Sequence, residues 1–224
     1  MAGAYIGFGN VIMYSVSAHV DAAWVRLVSG AVFSAALTIV IFAGSELFTG
    51  TAMYMPLAVL SRRASVPQML AVWMVTWIGN LAGALILAAL LKAAGGGVIL
   101  GDGREHFLAA VKAKVAAPGS ELFVKGILCN WLVCLAIWMC NRTTDASAKL
   151  FLIFWPITIF VSAGFEHSVA NMFTFCMALM ADGDTGIGFA DAARNLSLCH
   201  PGQYCRWLDL RRLWLLVAGA RHRP

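Results

Sequence analysis

The sequence predicts an all-α integral membrane protein in which two of the spans are broken near their middles. Three observations carry this. Only 12% of the 224 residues are charged while 61% are hydrophobic, with a mean hydropathy of +0.80; a soluble domain carries about 25% charged residues. Uncharged runs cover residues 1–20, 27–45, 47–61, 64–91, 126–141 and 150–165, and a spanning helix needs about 20 mostly apolar residues. Two of the candidate spans are too long for one straight helix, and each carries a glycine and a glutamate at its centre: Gly44-Ser45-Glu46 and Gly164-Phe165-Glu166, the second followed by His167.

The spans follow in order. The first is residues 2–19. The second runs from about 27 to 60 and is interrupted at Gly44-Ser45-Glu46-Leu47-Phe48-Thr49-Gly50. The third covers 66–91, with Gly79-Asn80-Leu81-Ala82-Gly83 as a small-residue packing face. A glycine-rich loop (Gly95, Gly96, Gly97, Gly101, Gly103) leads to a fourth span, 121–140, opened by Pro118, Gly119 and Ser120 as turn and cap. The fifth covers 150–181, in which Glu166 and His167 are the only ionisable side chains apart from cysteine. An ionisable group at bilayer depth costs roughly 2.5–3.5 kcal/mol on insertion scales, so it tends to line a pathway or a polar pocket.

Short loops set the expected orientation. Arg62 and Arg63 join spans 2 and 3, and Arg142 and Lys149 join spans 4 and 5; an excess of basic residues marks the cytoplasmic side, which places the N-terminus there too. The interrupted spans are second of three and second of the next three, as in an inverted repeat whose half-helix ends meet near the membrane midplane. Non-helical backbone at that depth survives only against protein or a water-filled cavity. A pore or transporter is the expected class.

The net charge of +5 is concentrated in residues 190–224, where six arginines face Asp191 and Asp209 for a net +4. The body is nearly neutral, which argues against a nucleic-acid partner. Cys129, Cys134, Cys140 and Cys176 lie in apolar spans without metal-ligand spacing and read as small buried hydrophobes. No catalytic residue, metal site or cofactor motif emerges. The chain is not expected to be an enzyme; Glu166–His167 as an acid–base pair would lack any accompanying nucleophile. The first apolar run has neither a basic leader nor a signal-peptidase site.

Four stretches resemble the formate/nitrite transporter family, and its nitrite branch in particular: Met1-Ala-Gly-Ala-Tyr; Ala43-Gly-Ser-Glu-Leu-Phe-Thr-Gly; Lys125-Gly-Ile-Leu-Cys-Asn-Trp-Leu-Val-Cys-Leu-Ala-Ile-Trp-Met; and Gly164-Phe-Glu-His-Ser-Val-Ala-Asn-Met. The resemblance covers residues 1 to about 196. It implies an aquaporin-like protomer of six spans in the cell inner membrane, assembled as a homopentamer with one pathway per protomer for nitrite, formate and similar small monovalent anions. It further implies that His167 is the central pore histidine, Glu166 its neighbouring carboxylate, Thr49 the loop threonine facing it, Lys125 the vestibule lysine and Asn171 the polar residue after the second break. Phe33, Leu37, Leu47, Phe48 and Phe160 fall where that family builds its apolar constrictions. Without the resemblance, Lys125 reads as a snorkelling helix-end lysine, Thr49 as a helix cap and Glu166 as a brace for broken backbone.

Physical chemistry makes the implied arrangement intelligible. A bare anion in an apolar constriction faces a large desolvation penalty. A vestibule lysine raises the local anion concentration, half-helix N-termini add positive field, and a histidine can donate a hydrogen bond or a proton near neutrality. The rivals are an aquaporin-type neutral-solute pore, against which the missing paired Asn-Pro-Ala loops speak, and a non-conducting truncated subunit.

The second rival arises from the tail. Residues 190–224 do not supply a sixth span, because Trp207–Ala220 contains Asp209, Arg211 and Arg212. Set against the family pattern, the start at Met1 is expected to drop the cytoplasmic N-terminal helix and part of span 1. Codons for Ser197 to Leu208, read one base later, permit Pro-Cys-Val-Thr-Leu-Gly-Asn-Ile-Val-Gly-Gly. That alternative restores a Gly-Asn-x-x-Gly like the one at Gly79–Gly83, so a frame change after about residue 196 is expected.

Overall fold

The structure, a computed structural model, describes residues 1–204. All regular elements among the described residues are helical: α1 (Ala2–Ser17), α2 (Val25–Phe42), α3 (Phe48–Leu60), α4 (Val66–Ala93), α5 (Gly97–Leu100), α6 (Arg104–Ala116), α7 (Gly119–Cys140), α8 (Ala146–Ser162), α9 (Ser168–Leu179) and α10 (Phe189–Tyr204). Of these, α2, α4 and α7 are each long and apolar enough to cross a membrane alone. The outward face of α4 presents Leu70, Met74, Val75, Ile78, Ile86 and Leu90. Such a continuous apolar surface is tolerated where lipid, rather than water, is the solvent.

The two overlong spans are each a pair of helices, α2–α3 and α8–α9, and both breaks use one device. Gly44 and Gly164 take φ of +65° and +71°, a left-handed conformation that costs glycine little. The N–H groups of Gly44 and Ser45 return to Ile41 and Val40, and those of Gly164 and Phe165 to Val161 and Phe160. This 5→2 and 6→1 pairing satisfies the last carbonyls of α2 and α8 before the chain turns away. Leu47 and His167 then sit extended as the N-cap residues of α3 and α9.

Contacts repeat between the halves. Helix α1 packs on α2 and α4 as α7 packs on α8 and α10; α3 packs on α4 as α9 does on α10; across the halves, α4 meets α9 as α10 meets α3, and α1 meets α9 as α7 meets α3. Helices α2 and α8 join the halves along a shared face. Glycines set the tightest crossings. A Cβ added at Gly3 would lie 1.8 Å from the carbonyl oxygen of Asn80, at Gly30 2.5 Å from that of Thr158, and at Gly126 2.5 Å from that of Cys199. We expect Gly3→Ala to push α1 off α4 and cost about 2 kcal/mol, within the range for overpacking a close contact. Thermal unfolding in detergent checks this; a midpoint equal to that of the unsubstituted protein would refute it.

Helix α10 carries residues 189–204 into the bundle against α7 and α9, with Asn195 and Cys199 fully buried. The arginine-rich stretch from Arg206 and the Trp207–Ala220 segment lie outside the described residues.

Candidate functional site

The second break builds a buried polar cluster. Glu166, 5% exposed, receives Lys114 Nζ on both carboxylate oxygens at 3.0 and 2.9 Å and Asn171 Nδ2 on Oε2 at 2.6 Å. Asn171 also donates to Asn195 Oδ1 at 2.8 Å, and Asn195 Nδ2 lies 3.4 Å from the Lys114 carbonyl oxygen. The cluster joins α6, the break, α9 and α10 in one network. Lys114 stands on α6, outside the spans. Burial alone would lower its pKa, but the adjacent Glu166 carboxylate more than reverses this and holds it above the ordinary lysine value. A raised lysine pKa means that the contribution of the Lys114 charge is complete below the unfolded-state value and lost only in strong alkali, so Lys114 stays charged through neutrality.

His167 caps α9. Its Nδ1 accepts the N–H of Ala170 at 3.0 Å. A neutral imidazole has one acceptor and one donor nitrogen, so this cap assigns the proton to Nε2. A second proton would have to enter at Nδ1 and end the cap. The ring, 3% exposed, is thereby held as a hydrogen-bond donor at the positive end of a half-helix.

Two cavities approach the breaks from opposite ends of the bundle. The larger, about 460 Å³, is walled by α1, α6, the starts of α2 and α7, and the second break. It takes in His167, Glu166 and Asn171, and its basic groups are Arg26, His106, Lys114 and Lys125. The smaller, about 220 Å³, is walled by the end of α2, the first break, α3 and the end of α7. Its one charged residue is Glu46, with Tyr54 and Asn141 nearby. The first break thus lines one cavity and the second lines the other. Among the described residues, no ion pair engages the Glu46 carboxylate.

Buried apolar side chains line both spaces. Phe33 and Phe160 meet edge to face, with ring centroids 5.9 Å apart, and Phe160 lies 6.0 Å from the His167 ring; both line the larger cavity. Leu37 and Leu47 line the smaller. All four are about 97% buried.

Two expected positions fall elsewhere. Phe48 lines neither cavity; its ring packs 4.3 Å from that of His200 on α10. Phe48 opens α3, where α10 packs alongside. Thr49, fully buried, also lines neither cavity, and its Oγ1 has no hydrogen-bond partner among the described residues. Lys125 lines the larger cavity but is held by Glu121, one turn earlier on α7, at 2.6 Å; the lysine on Glu166 is Lys114. Sequence reasoning left Lys114 in the 92–120 loop. The available signal was the lysine pair of Lys112 and Lys114 two residues apart on a short helix, which puts them on different faces. Asn80 was read as a packing position, yet its Oδ1 accepts the Phe48 N–H at 3.0 Å and its Nδ2 donates to the Glu46 carbonyl at 3.1 Å, bracing the first break.

Residues 1–203 match the family model described as formate/nitrite transporter. The chain is similar to the nitrite transporter NirC of Salmonella typhimurium (strain LT2), with 43% identity over 196 residues, 88% of this chain and 72% of that protein. It is similar to a probable formate transporter of Methanothermobacter thermautotrophicus, with 39% identity over 205 residues, 83% of this chain and 74% of that protein. A solved structure of an FNT family ion channel superposes with a TM-score of 0.87 at 39% identity, covering 97% of this chain and 87% of that one. A pentameric formate channel with formate bound gives 0.81 at 25% identity, covering 98% and 94%.

Proposed function

The chain belongs to the formate/nitrite transporter family, and from that premise we propose that it carries nitrite, with formate and similar small monovalent anions, across the cell inner membrane. The observation that carries this reading is His167: its Nε2–H is the donor left over after the cap at Ala170, and it stands where a basic cavity narrows onto the Phe33–Phe160 pair. Arg26, His106, Lys114 and Lys125 concentrate anions at the mouth. The half-helix N-termini of α3 and α9 add positive field between the cavities. Glu166 and Asn171 hold the second break and position the ring, while Leu37 and Leu47 close the far side.

The matched break geometry and the repeated helix contacts support an aquaporin-like inverted repeat. The similarity to a pentameric channel supports a homopentamer, and the basic loops at Arg62–Arg63 and Arg142 support a cytoplasmic N-terminus. We hold to a frame change after about residue 196; sequencing the coding DNA across codons 190–224 tests it, and an intact native frame with the written tail overturns it.

Vesicles reconstituted with the protein and given a nitrite or formate gradient test the function. Expected is saturable anion flux that falls at least tenfold in His167→Leu, the loss of a single well-placed donor being worth about 1.4 kcal/mol or more. Flux untouched by the substitution refutes the role of the ring. Swelling in neutral solutes without anion dependence would replace this reading with an aquaporin-type pore.

A further inference from the structure

Glu46 and Glu166 stand at equivalent points of the two breaks, each two residues beyond the left-handed glycine. Their surroundings differ. Glu166 is buried, with Lys114 Nζ on both carboxylate oxygens and Asn171 Nδ2 on Oε2. Glu46 is exposed and lines the smaller cavity, and among the described residues its carboxylate takes no hydrogen bond and no ion pair. The residue that corresponds to Asn171 in the first break is Thr51, also seven beyond its glycine. Its hydroxyl is turned to the Phe48 carbonyl oxygen at 2.9 Å and to Thr76 Oγ1 at 3.2 Å, away from Glu46.

The break does not need this carboxylate. What ties the chain at Glu46 is its backbone carbonyl, which accepts Asn80 Nδ2 at 3.1 Å, a bond that any residue could offer. The side chain instead leaves one negative charge in a space of about 220 Å³ whose other lining side chains are uncharged. The lining of the larger cavity sums the other way, with Arg26, Lys114 and Lys125 against Glu166. Low-dielectric walls focus such fields along a narrow space. The two ends of the bundle therefore carry opposite signs, and the sign at the smaller cavity is set by a single residue.

We propose that Glu46 makes the pathway electrostatically polar: its carboxylate repels anions from the smaller cavity, so that the protein loads substrate at lower concentration from the larger cavity than from the smaller. A unit charge about 6 Å away changes the local concentration of a monovalent anion about threefold in water at low salt. The effect is one of loading and not of net direction. With no membrane potential, detailed balance ties the maximal rate to the half-saturating concentration in the two directions, so the asymmetry is read in half-saturation. The inference rests on the function proposed above.

Right-side-out and inverted membrane vesicles from one expressing culture present the two faces in turn. Initial nitrite uptake is measured against nitrite concentration at neutral pH, with the membrane potential clamped at zero and the ionic strength near 0.01 M. The unsubstituted protein is expected to half-saturate at about threefold higher nitrite from one face than from the other. In Glu46→Gln the higher value falls about threefold and the lower one stays, while Glu46→Asp, which keeps the charge, keeps the asymmetry. Raising the ionic strength to about 1 M with impermeant salt shortens the screening length from about 30 Å to about 3 Å and removes the asymmetry without any substitution. Equal half-saturation from both faces in the unsubstituted protein overturns the proposal. So does a Glu46→Gln variant that moves both values together, as a folding defect would, or neither. If the unsubstituted protein takes up no nitrite from either face, the transport reading itself fails and the inference with it.

Discussion

Replacing Lys114 by methionine is expected to destabilise the protein by about 3 kcal/mol and to abolish flux. The side chain of Glu166 is 7% exposed and that of Lys114 21%, so removing the lysine leaves a carboxylate in a low-dielectric wall with Asn171 as its remaining side-chain donor. Stranding one member of a buried pair costs about 3–5 kcal/mol, and the partial exposure of Lys114 favours the lower figure. The double variant Lys114→Met/Glu166→Gln separates the two consequences. Stability returns, because no charge is stranded and the glutamine can still accept from Asn171; the field at the mouth does not return, and flux stays low. Thermal unfolding in detergent and vesicle flux, measured on both variants, check the pair of statements. A single variant as stable as the parent, or a double variant with full flux, would refute them.

Asn80→Leu is expected to loosen the first break by about 2 kcal/mol. The side chain, 2% exposed on α4, is what satisfies the Phe48 N–H at the start of α3, where the N-cap Leu47 offers no side-chain acceptor. Burying that N–H without a partner costs about 1–3 kcal/mol. Hydrogen exchange offers a local readout: the amides of Phe48 and the following turn should lose about thirtyfold in protection, while those around Ser168–Asn171 keep theirs. Equal protection at both breaks in the variant would show that Asn80 is not the brace. The contrast between the breaks is instructive. The second carries its own cap in His167 and a charged brace in Lys114, whereas the first depends on a residue from the neighbouring helix.

These two cases mark where sequence and tertiary structure divide the problem. Breaks at Gly44 and Gly164 were legible because a left-handed residue inside an apolar run is a local property of the chain, and glycine is the residue that adopts it cheaply. That Glu166 and His167 face polar surroundings was legible for the same kind of reason: ionisable groups in a run otherwise suited to lipid must face something polar. Phe33 and Phe160 line the larger cavity and Leu37 and Leu47 the smaller; Leu47 sits inside the first break, while the other three lie along α2 and α8. Partner choice was not legible. Lys125 sits in the motif next to an apolar span, but its own helix supplies Glu121 one turn away, while Lys114 reaches Glu166 across 52 residues of chain. Asn80 meets the first break across 32 residues, and Asn10 meets Ala170 across 160. Phe48 packs on His200 because α10 lies beside α3. Periodicity and composition determine which segments are helical, where they break and which charges must be buried. Which charge answers which is set by how the helices cross, and only the packed bundle decides that.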